Sequence, residues 1–260
     1  PFVAIFGHAI GDIDNDGDED AVISLKATGG LYIDILRNNG SSKLVVEREE
    51  TVNYNTTPEG VNILMDINND GYPEYIFGGS TNDNETINKI GYLNNLSGNF
   101  DYSNPVWLNE LESTQGLAPK DMFKVDLNND GNEELLIYRS TGLGNPFGTE
   151  NKEFLNEILI LNNELKDITS ETIDKNNTSK MFSQSSSMYY IDIDGDKVKD
   201  IFIHFFTDSL YSSLNANQPY YGYWDNNSDL FSYFKGNEDG KFNFKLTEKF
   251  TYSDELKEYG

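Results

Sequence analysis

Short apolar segments alternate with clusters of Asp, Asn and Gly along the whole chain. The apolar segments, such as Ala21–Leu25 and Ile201–Phe206, are rich in β-branched and aromatic residues. Runs of this length and composition, bounded by turn-forming residues, are typical of β-strands. The strongest helix candidate, Glu153–Asn163, contains a continuous Ile-Leu-Ile-Leu run, which favours a strand over a helical period. The pattern therefore predicts an all-β protein.

One acidic loop of nine residues recurs four times, and each copy lies between two apolar segments. The copies read DIDNDGDED, DINNDGYPE, DLNNDGNEE and DIDGDKVKD, and they begin at Asp12, Asp66, Asp126 and Asp192. Their first aspartates are 54, 60 and 66 residues apart. We number the positions within each copy 1 to 9. A motif that returns at such intervals indicates repeated structural units, each with one acidic loop between two strands.

Each unit continues with two more apolar segments joined by a turn rich in Asn and Gly, as at Asn38–Gly40 and Gly236–Gly240. Such clusters between apolar strands are typical of hairpin turns. One unit is thus predicted to contain four antiparallel strands, the pattern of a β-propeller blade. We expect a single β-propeller domain over residues 1–260. Its four blades are expected at about 1–56, 57–116, 117–181 and 182–252, and they either close by themselves or form part of a larger ring.

The acidic loops have the composition of a metal site. In all four copies, positions 1, 3, 5 and 9 carry oxygen-bearing side chains. Position 7 varies, as expected if only its backbone carbonyl is a ligand; it is occupied by Asp18, Tyr72, Asn132 and Val198. Ca²⁺ accepts about six to eight oxygen ligands with flexible geometry, whereas Mg²⁺ requires octahedral geometry and Zn²⁺ prefers His or Cys. We expect up to four bound Ca²⁺ ions; the alternative is a plain polar turn in a chain rich in Asn and Asp.

The DxDxDGxxD pattern of these loops resembles the calcium-binding FG-GAP repeats of integrin α-subunit propellers and the related VCBS-type repeats of bacterial surface proteins. The resemblance extends over nearly the whole chain, although the Phe-Gly signature survives only as Phe6-Gly7 and the family's usual ring has more blades. By motif position, the resemblance implies side-chain ligation by Asp12, Asp14, Asp16 and Asp20; by Asp66, Asn68, Asp70 and Glu74; by Asp126, Asn128, Asp130 and Glu134; and by Asp192, Asp194, Asp196 and Asp200.

The four sites are not expected to be equal. The first and fourth loops carry four carboxylates each at these positions, whereas the second and third carry three carboxylates and an Asn. More carboxylate charge favours tighter Ca²⁺ binding, so we expect the first and fourth loops to bind more tightly. In the fourth loop Gly lies at position 4 instead of position 6, which puts Lys197 where a left-handed backbone conformation is usual.

Composition and charge narrow the choice of partners. Nineteen Lys and Arg residues against 44 Asp and Glu residues give a formal net charge of −25. This charge argues against nucleic acid or an anionic membrane surface as a partner. The chain has no cysteine, and no apolar run reaches the ~18–20 residues of a membrane span. We expect a secreted or cell-surface protein of a bacterium, and we interpret the chain, which begins at Pro1, as a mature or excised piece.

Candidate catalytic residues are few. His8 and His204 are the only histidines, and His204 lies in an apolar strand segment. The sequence has no nucleophile elbow, no zinc-binding HExxH pattern and no phosphate-binding glycine loop. We therefore expect no enzymatic activity in this chain. One alternative is that the chain is the propeller part of a larger secreted enzyme that degrades polysaccharides, and another is that it is a purely structural spacer.

The connections between the second and third predicted strands grow along the chain, from Lys26–Gly30 through Gly78–Thr86 and Arg139–Phe154 to Thr207–Asp229. Strand alternation places them on the face opposite the acidic loops, and this second face carries the ligand in the integrin propellers that the chain resembles. The last connection contains Tyr211, Tyr220, Tyr221, Tyr223 and Trp224. We expect these side chains to bind a glycan or a surface protein, because exposed aromatic rings commonly anchor interfaces.

Overall fold

The computed structural model describes residues 3–27, 30–40, 44–48, 56–81, 88–111, 117–140, 156–173, 186–205 and 231–248. These residues contain fifteen β-strands, one short α-helix and one 3₁₀ turn at Asn109–Leu111. The strands form four separate sheets in which all neighbours are antiparallel. The expected all-β fold is confirmed for the described residues. Their helices are too short and too polar to cross a membrane.

Each sheet is a meander, in which every strand pairs with the next strand along the chain. Sheet 1 consists of β1 (Val3–Gly11), β2 (Asp20–Ala27), β3 (Gly30–Asn38) and β4 (Leu44–Arg48). Sheet 2 consists of β5 (Thr56–Met65), β6 (Glu74–Thr81), β7 (Asn88–Leu93) and β8 (Val106–Trp107). Sheet 3 consists of β9 (Ala118–Val125), β10 (Glu134–Ser140) and β11 (Asn156–Leu161). Sheet 4 consists of β12 (Ser186–Ile191), β13 (Asp200–Phe205), β14 (Phe231–Gly236) and β15 (Phe242–Glu248).

Sheet 3 differs from the expected blade after its last strand. The expectation that a fourth strand follows each hairpin turn is wrong for residues 164–173. This segment contains one isolated bridge between Asp167 and Leu161 and the single helical turn α1 (Thr169–Thr172). The Thr169 hydroxyl oxygen accepts a hydrogen bond from the Ile160 N–H at 2.8 Å, and the Ile168 N–H donates to the Ile160 carbonyl at 2.9 Å. These bonds satisfy the part of the β11 edge that a fourth strand would otherwise cover.

Among the described residues, three hydrophobic cores lie between successive sheets. The core between sheets 1 and 2 includes Val22, Ile35, Tyr75 and Phe77; the core between sheets 2 and 3 includes Ile76, Ile90, Leu135 and Ile137; the core between sheets 3 and 4 includes Leu136, Tyr138, Ile201 and Phe234. Because successive side chains of a strand point to opposite faces, β6 and β10 each contribute to two cores. All seven residues of β10 are buried.

The four sheets pack one against the next in a row, with sheets 1 and 4 at its two ends. Each of these end sheets has an apolar face that the other described residues leave exposed. On sheet 1, Ile10 and Val46 are 59% and 61% exposed. On sheet 4, Tyr189 and Ile191 are 43% and 48% exposed. The described residues therefore form a row of four packed sheets and not a closed ring.

Candidate metal centre

Each acidic loop connects the first two strands of its sheet. Loop 1 (Asp12–Asp20) joins β1 to β2, loop 2 (Asp66–Glu74) joins β5 to β6, loop 3 (Asp126–Glu134) joins β9 to β10, and loop 4 (Asp192–Asp200) joins β12 to β13. Position 9 of every loop is also the first residue of the second strand, so this side chain is anchored in the sheet. The four loops thus occupy equivalent places in their sheets.

The aspartate at position 1 organises each loop. Asp12 accepts hydrogen bonds from the N–H groups of positions 5 and 6 at 3.1 and 2.8 Å. Asp66 and Asp126 accept the same two bonds at 2.8–3.2 Å. Asp192 accepts from the N–H groups of positions 4 and 6 at 2.7 and 2.9 Å. Every loop therefore folds around the carboxylate of its first residue.

The carboxylate at position 9 ties each loop back to its sheet. It accepts a hydrogen bond from the N–H of position 2 at 2.9–3.1 Å in all four loops. The four side chains are Asp20, Glu74, Glu134 and Asp200, and all are buried. In loops 1 and 4 the other carboxylate oxygen accepts from a third-strand N–H, that of Asn38 at 2.8 Å and that of Gly236 at 2.9 Å. Buried acidic groups at this position are therefore held by backbone donors.

The backbone between these anchors has the same shape in every copy. The carboxylate at position 5 accepts from the N–H of position 7 at 2.8–2.9 Å in all four loops. Positions 4 and 6 have φ between 56° and 93°, the left-handed region that favours Gly and Asn. In loop 4 these positions are Gly195 and Lys197, and the φ of Lys197 is 75°. The expected left-handed conformation at Lys197 is confirmed.

Loop 1 brings three carboxylates together. Oxygen atoms of Asp12, Asp14 and Asp20 lie within 4.8 Å of one another, and loop 4 places Asp192, Asp194 and Asp200 in the same way. The Oδ1 atom of Asp14 is buried and accepts no hydrogen bond within the described part of the chain. An orphaned buried oxygen in a set of hard oxygen donors fits a Ca²⁺ ion, which would provide the missing partner.

Loops 2 and 3 have Asn instead of Asp at position 3. The Asn68 Nδ2 donates to the Glu74 carboxylate at 3.2 Å, and the Asn128 Nδ2 donates to the Asp130 carboxylate at 3.0 Å. The side-chain oxygens of Asn68 and Asn128 also accept from the N–H of position 5, at 2.9 Å in both loops. These loops therefore offer oxygen atoms at the same four positions with one carboxylate fewer.

The electrostatics of the loops also fit a cation. Burial raises the pKa of Glu74 and of Glu134 above the ordinary value, and the other carboxylates of each loop act in the same direction. Burial likewise raises the pKa of Asp14, although the Arg37 guanidinium opposes this shift. Ionised carboxylates in such places lack a full counter-charge, and a divalent cation would supply it.

Among the described residues, Arg37 and Lys235 form ion pairs with carboxylates at positions 3, 5 and 9, and the loop motif gives no indication of these two residues. The Arg37 Nη1 lies 3.3 Å from the Asp14 carboxylate and 3.2 Å from the Asp20 carboxylate. The Lys235 Nζ forms ion pairs with Asp194 and Asp196 in loop 4. Hydrogen bonding from Lys235 lowers the pKa of Asp196. Both basic residues lie on third strands, next to the hairpin turn, and an alignment of the third strands would have revealed their equivalence.

Hairpin turns of sheets 2 and 4 lie against loops of the preceding sheets. The Asn95 Nδ2 donates to the Ile13 carbonyl at 2.9 Å and to the Pro73 carbonyl at 3.0 Å, so one side chain links loops 1 and 2. A Cβ atom on Gly98 would lie 2.8 Å from the Asp14 Cβ, and one on Gly240 would lie 3.1 Å from the Leu127 carbonyl oxygen. The loops and these turns therefore share one end of the sheets.

The aromatic residues expected to bind a ligand lie outside the described residues. Tyr211, Tyr220, Tyr221, Tyr223 and Trp224 all fall within residues 206–230, between β13 and β14. Residues 141–154 of the other long connection also lie outside. Its first residue, Arg139, belongs to β10 and is buried, with its Nη1 donating to the Leu111 carbonyl at 2.7 Å and its guanidinium paired with Glu157. The expectation that the connection begins at Arg139 is therefore corrected to a start after Ser140.

Comparison with known proteins supports the repeat. Residues 66–137 match the family of FG-GAP-like repeats. The match begins at the first residue of loop 2, contains the whole of loop 3 and ends within β10. The two middle loops and the strands between them therefore form the matched segment. No curated protein shows significant sequence similarity to the chain.

Proposed function

We propose that this chain, an FG-GAP-type repeat protein, is a non-enzymatic β-propeller domain that is stabilised by Ca²⁺ and binds a glycan or a protein partner outside the cell. The observation that carries the proposal is the fourfold repetition of one loop geometry. Every loop offers oxygen atoms from positions 1, 3, 5 and 9 at the same place in its sheet. The location outside the cell is proposed from the resemblance to FG-GAP repeats.

Calcium would act by removing repulsion within the loops. Each loop holds three or four carboxylates at positions 1, 3, 5 and 9, and the chain has a formal net charge of −25. The side chains at positions 1, 3, 5 and 9 and the carbonyl of position 7 would hold the ion, which supplies positive charge between them. An ion that binds only the native state stabilises it by about 2.7 kcal/mol per site at a hundredfold excess over Kd.

The packing of the sheets supports a propeller. The loop numbering can be continued into the second strand of each sheet, so that position 10 is the residue after position 9. In sheets 2, 3 and 4, the side chains at positions 10 and 12 pack toward the preceding sheet. The residue at position 11 of sheets 1, 2 and 3 packs toward the following sheet. By the same rule, the outer face of sheet 1 contains Ala21 and Ile23, and the outer face of sheet 4 contains Phe202. The two outer faces are thus complementary halves of one type of interface.

These outer faces are the sites at which a ring would be completed. Apolar faces of this kind are unfavourable in water and are normally covered. We favour further blades, from another chain or segment, over direct closure of sheet 4 on sheet 1. Light scattering and small-angle X-ray scattering distinguish the two, because closure gives a compact monomer. A monomeric open row of sheets would contradict both.

The calcium proposal is tested by calorimetric titration of the metal-free chain with CaCl₂. We expect up to four ions per chain, and a melting temperature that falls by about 10 °C or more in chelator. MgCl₂ at the same concentration restores little of this loss. Asp66→Ala should remove one site, whereas Asp101→Ala, outside the loops, should remove none. Absence of binding heat together with an unchanged melting curve in chelator would overturn the proposal.

Partner binding is tested with variants of the long connection between β13 and β14. Tyr221→Ala and Trp224→Ala are screened beside the unmodified chain against glycans and extracellular proteins. We expect loss of the ligand and little change in calcium-dependent melting, because aromatic anchors commonly contribute about 2 kcal/mol or more to an interface. Tyr72→Ala, in loop 2, is the matched aromatic control and should keep the ligand. Equal binding by all variants would contradict a role for these aromatic side chains.

A further inference from the structure

The third strand of each sheet places one residue opposite position 9 of the acidic loop. In sheet 1, Leu36 pairs with Ala21, so the next residue, Arg37, lies opposite Asp20. The same offset follows from the register of the other three sheets. The four residues at this opposite position are Arg37, Asn94, Asn162 and Lys235. Two sheets therefore have a basic residue here, and two have a neutral amide.

The type of residue at the opposite position varies together with the type of residue at position 3 of the same loop. Where the opposite residue is basic, position 3 is Asp14 or Asp194. Where it is Asn, position 3 is Asn68 or Asn128. In both basic cases the cation touches the position 3 carboxylate, at 3.3 Å for Arg37 and in direct ion pairing for Lys235. The extra carboxylate and the basic residue thus occur together.

This pairing gives all four loops the same formal charge when positions 1, 3, 5 and 9 are summed with the opposite residue. At positions 1, 3, 5 and 9 together with the opposite residue, loops 1 and 4 each have four carboxylates and one basic residue, so each set sums to −4 + 1 = −3. At the same positions, loops 2 and 3 each have three carboxylates and a neutral Asn opposite, so each set also sums to −3. The number of carboxylates alone therefore does not measure the negative charge that a metal ion would meet.

We propose that Arg37 and Lys235 compete with Ca²⁺ for the position 3 carboxylates of loops 1 and 4, and thereby make these loops weaker calcium sites than loops 2 and 3. The inference rests on the calcium binding proposed above, and it reverses the order expected from carboxylate number. An ion can use Asp14 fully only when the guanidinium moves away. Arg37 is held in place, since its side chain is only 12% exposed and it also donates to the Gly98 carbonyl of sheet 2.

The experiment isolates loop 1 in the full chain by placing Asp66→Asn, Asp126→Asn and Asp192→Asn in one background variant. Calcium affinity is measured by calorimetry, and folding is checked by circular dichroism. Adding Arg37→Asn should tighten Kd about tenfold, because a cation next to the ion is removed at a partly buried site. Arg37→Lys, which keeps the charge, should stay within about threefold of the background. Lys166→Asn, at an exposed residue that follows β11, is the matched charge control and should leave Kd unchanged.

A second background repeats the test in loop 4. Here Asp12→Asn replaces Asp192→Asn, and Lys235→Asn should again tighten Kd about tenfold. If either background binds Ca²⁺ and removal of its basic residue leaves Kd unchanged or weakens binding, the inference is overturned while calcium binding stands. If neither the unmodified chain nor any variant binds Ca²⁺, the proposed calcium binding fails, and this inference fails with it.

Discussion

Sheets 3 and 4 carry the same acidic loop in different surroundings. In sheet 3, β10 is buried along its whole length between sheets 2 and 4, whereas β12 of sheet 4 exposes Tyr189 and Ile191. Loops 3 and 4 nevertheless make the same hydrogen bonds from positions 5 and 9. Local residues therefore determine the loop geometry, regardless of how many neighbours the sheet has. The stability that each strand contributes depends on those neighbours.

The largest contrast in stability is expected between a buried apolar residue of sheet 3 and an exposed apolar residue of sheet 4. Ile137→Ala removes a fully buried side chain from β10 and should lower the free energy of unfolding by about 3 kcal/mol. Ile191→Ala removes a side chain that is half exposed on β12 and should cost less than about 1 kcal/mol. Urea denaturation in chelator measures both. Equal losses would show that another surface covers Ile191 in solution, and the contrast between the middle and end sheets would no longer hold.

The next test compares a buried and an exposed basic residue in the same region of the chain, since Arg139 lies in β10 and Lys166 follows β11. Arg139→Ala should cost about 2–3 kcal/mol, since it leaves the Leu111 carbonyl and the partly buried Glu157 carboxylate without their donor. Lys166→Ala removes an exposed pair with Glu164 and should cost less than about 0.5 kcal/mol. Thermal melts at constant pH give the comparison. A cost for Lys166→Ala as large as that for Arg139→Ala would contradict the assignment of stability to burial.

A smaller loss of stability is expected from substitutions at the contact between sheets 3 and 4. Gly240, in the β14–β15 turn, has a φ of 76°, and a Cβ there would lie 3.1 Å from the Leu127 carbonyl oxygen of loop 3. Gly240→Ala should cost about 2 kcal/mol from backbone strain and crowding together. Gly195→Ala, at a φ of 80° with open space around it, should cost about 1 kcal/mol from strain alone. If the two costs are equal, the turn does not press on loop 3.

The smallest effect concerns position 6, where loop 3 has Gly131 and loop 4 has Lys197. Lys197→Gly should stabilise the metal-free chain by about 0.5–1 kcal/mol, because glycine adopts the left-handed conformation without strain. Gly131→Lys should destabilise it by a similar amount. Both are read from denaturation midpoints in chelator. A loss of stability in Lys197→Gly would mean that the lysine side chain contributes more than its backbone costs.

The loops and most strands could be predicted from the sequence because the interactions that form them are local. Position 1 bonds to residues four and five places along the chain, and position 9 bonds to position 2. Arg37 and Lys235 could not be identified in this way, because they reach the loops through the register between the second and third strands. Their role is visible only when the third strands of all four sheets are compared.

Two further features depend on contacts that the local sequence does not specify. In sheet 3, the choice of α1 over a fourth strand depends on Thr169, whose hydroxyl group takes the place of a strand carbonyl beside Ile160. The apolar pattern after Asn162 does not distinguish these outcomes. Likewise, four similar repeats predict four similar sheets, but the way in which the row ends depends on what covers the outer faces of sheets 1 and 4.

The row of sheets also has a mechanical consequence. Within the described residues, sheets 2 and 3 are each held by two cores, whereas sheets 1 and 4 are each held by one. Structures whose units contact only their neighbours lose those units one at a time, beginning where the fewest contacts must break. When the two ends of the chain are pulled apart, sheets 1 and 4 should therefore detach before the middle pair. The chain would lengthen in sheet-sized steps, and the force required would rise as extension reaches sheets 2 and 3.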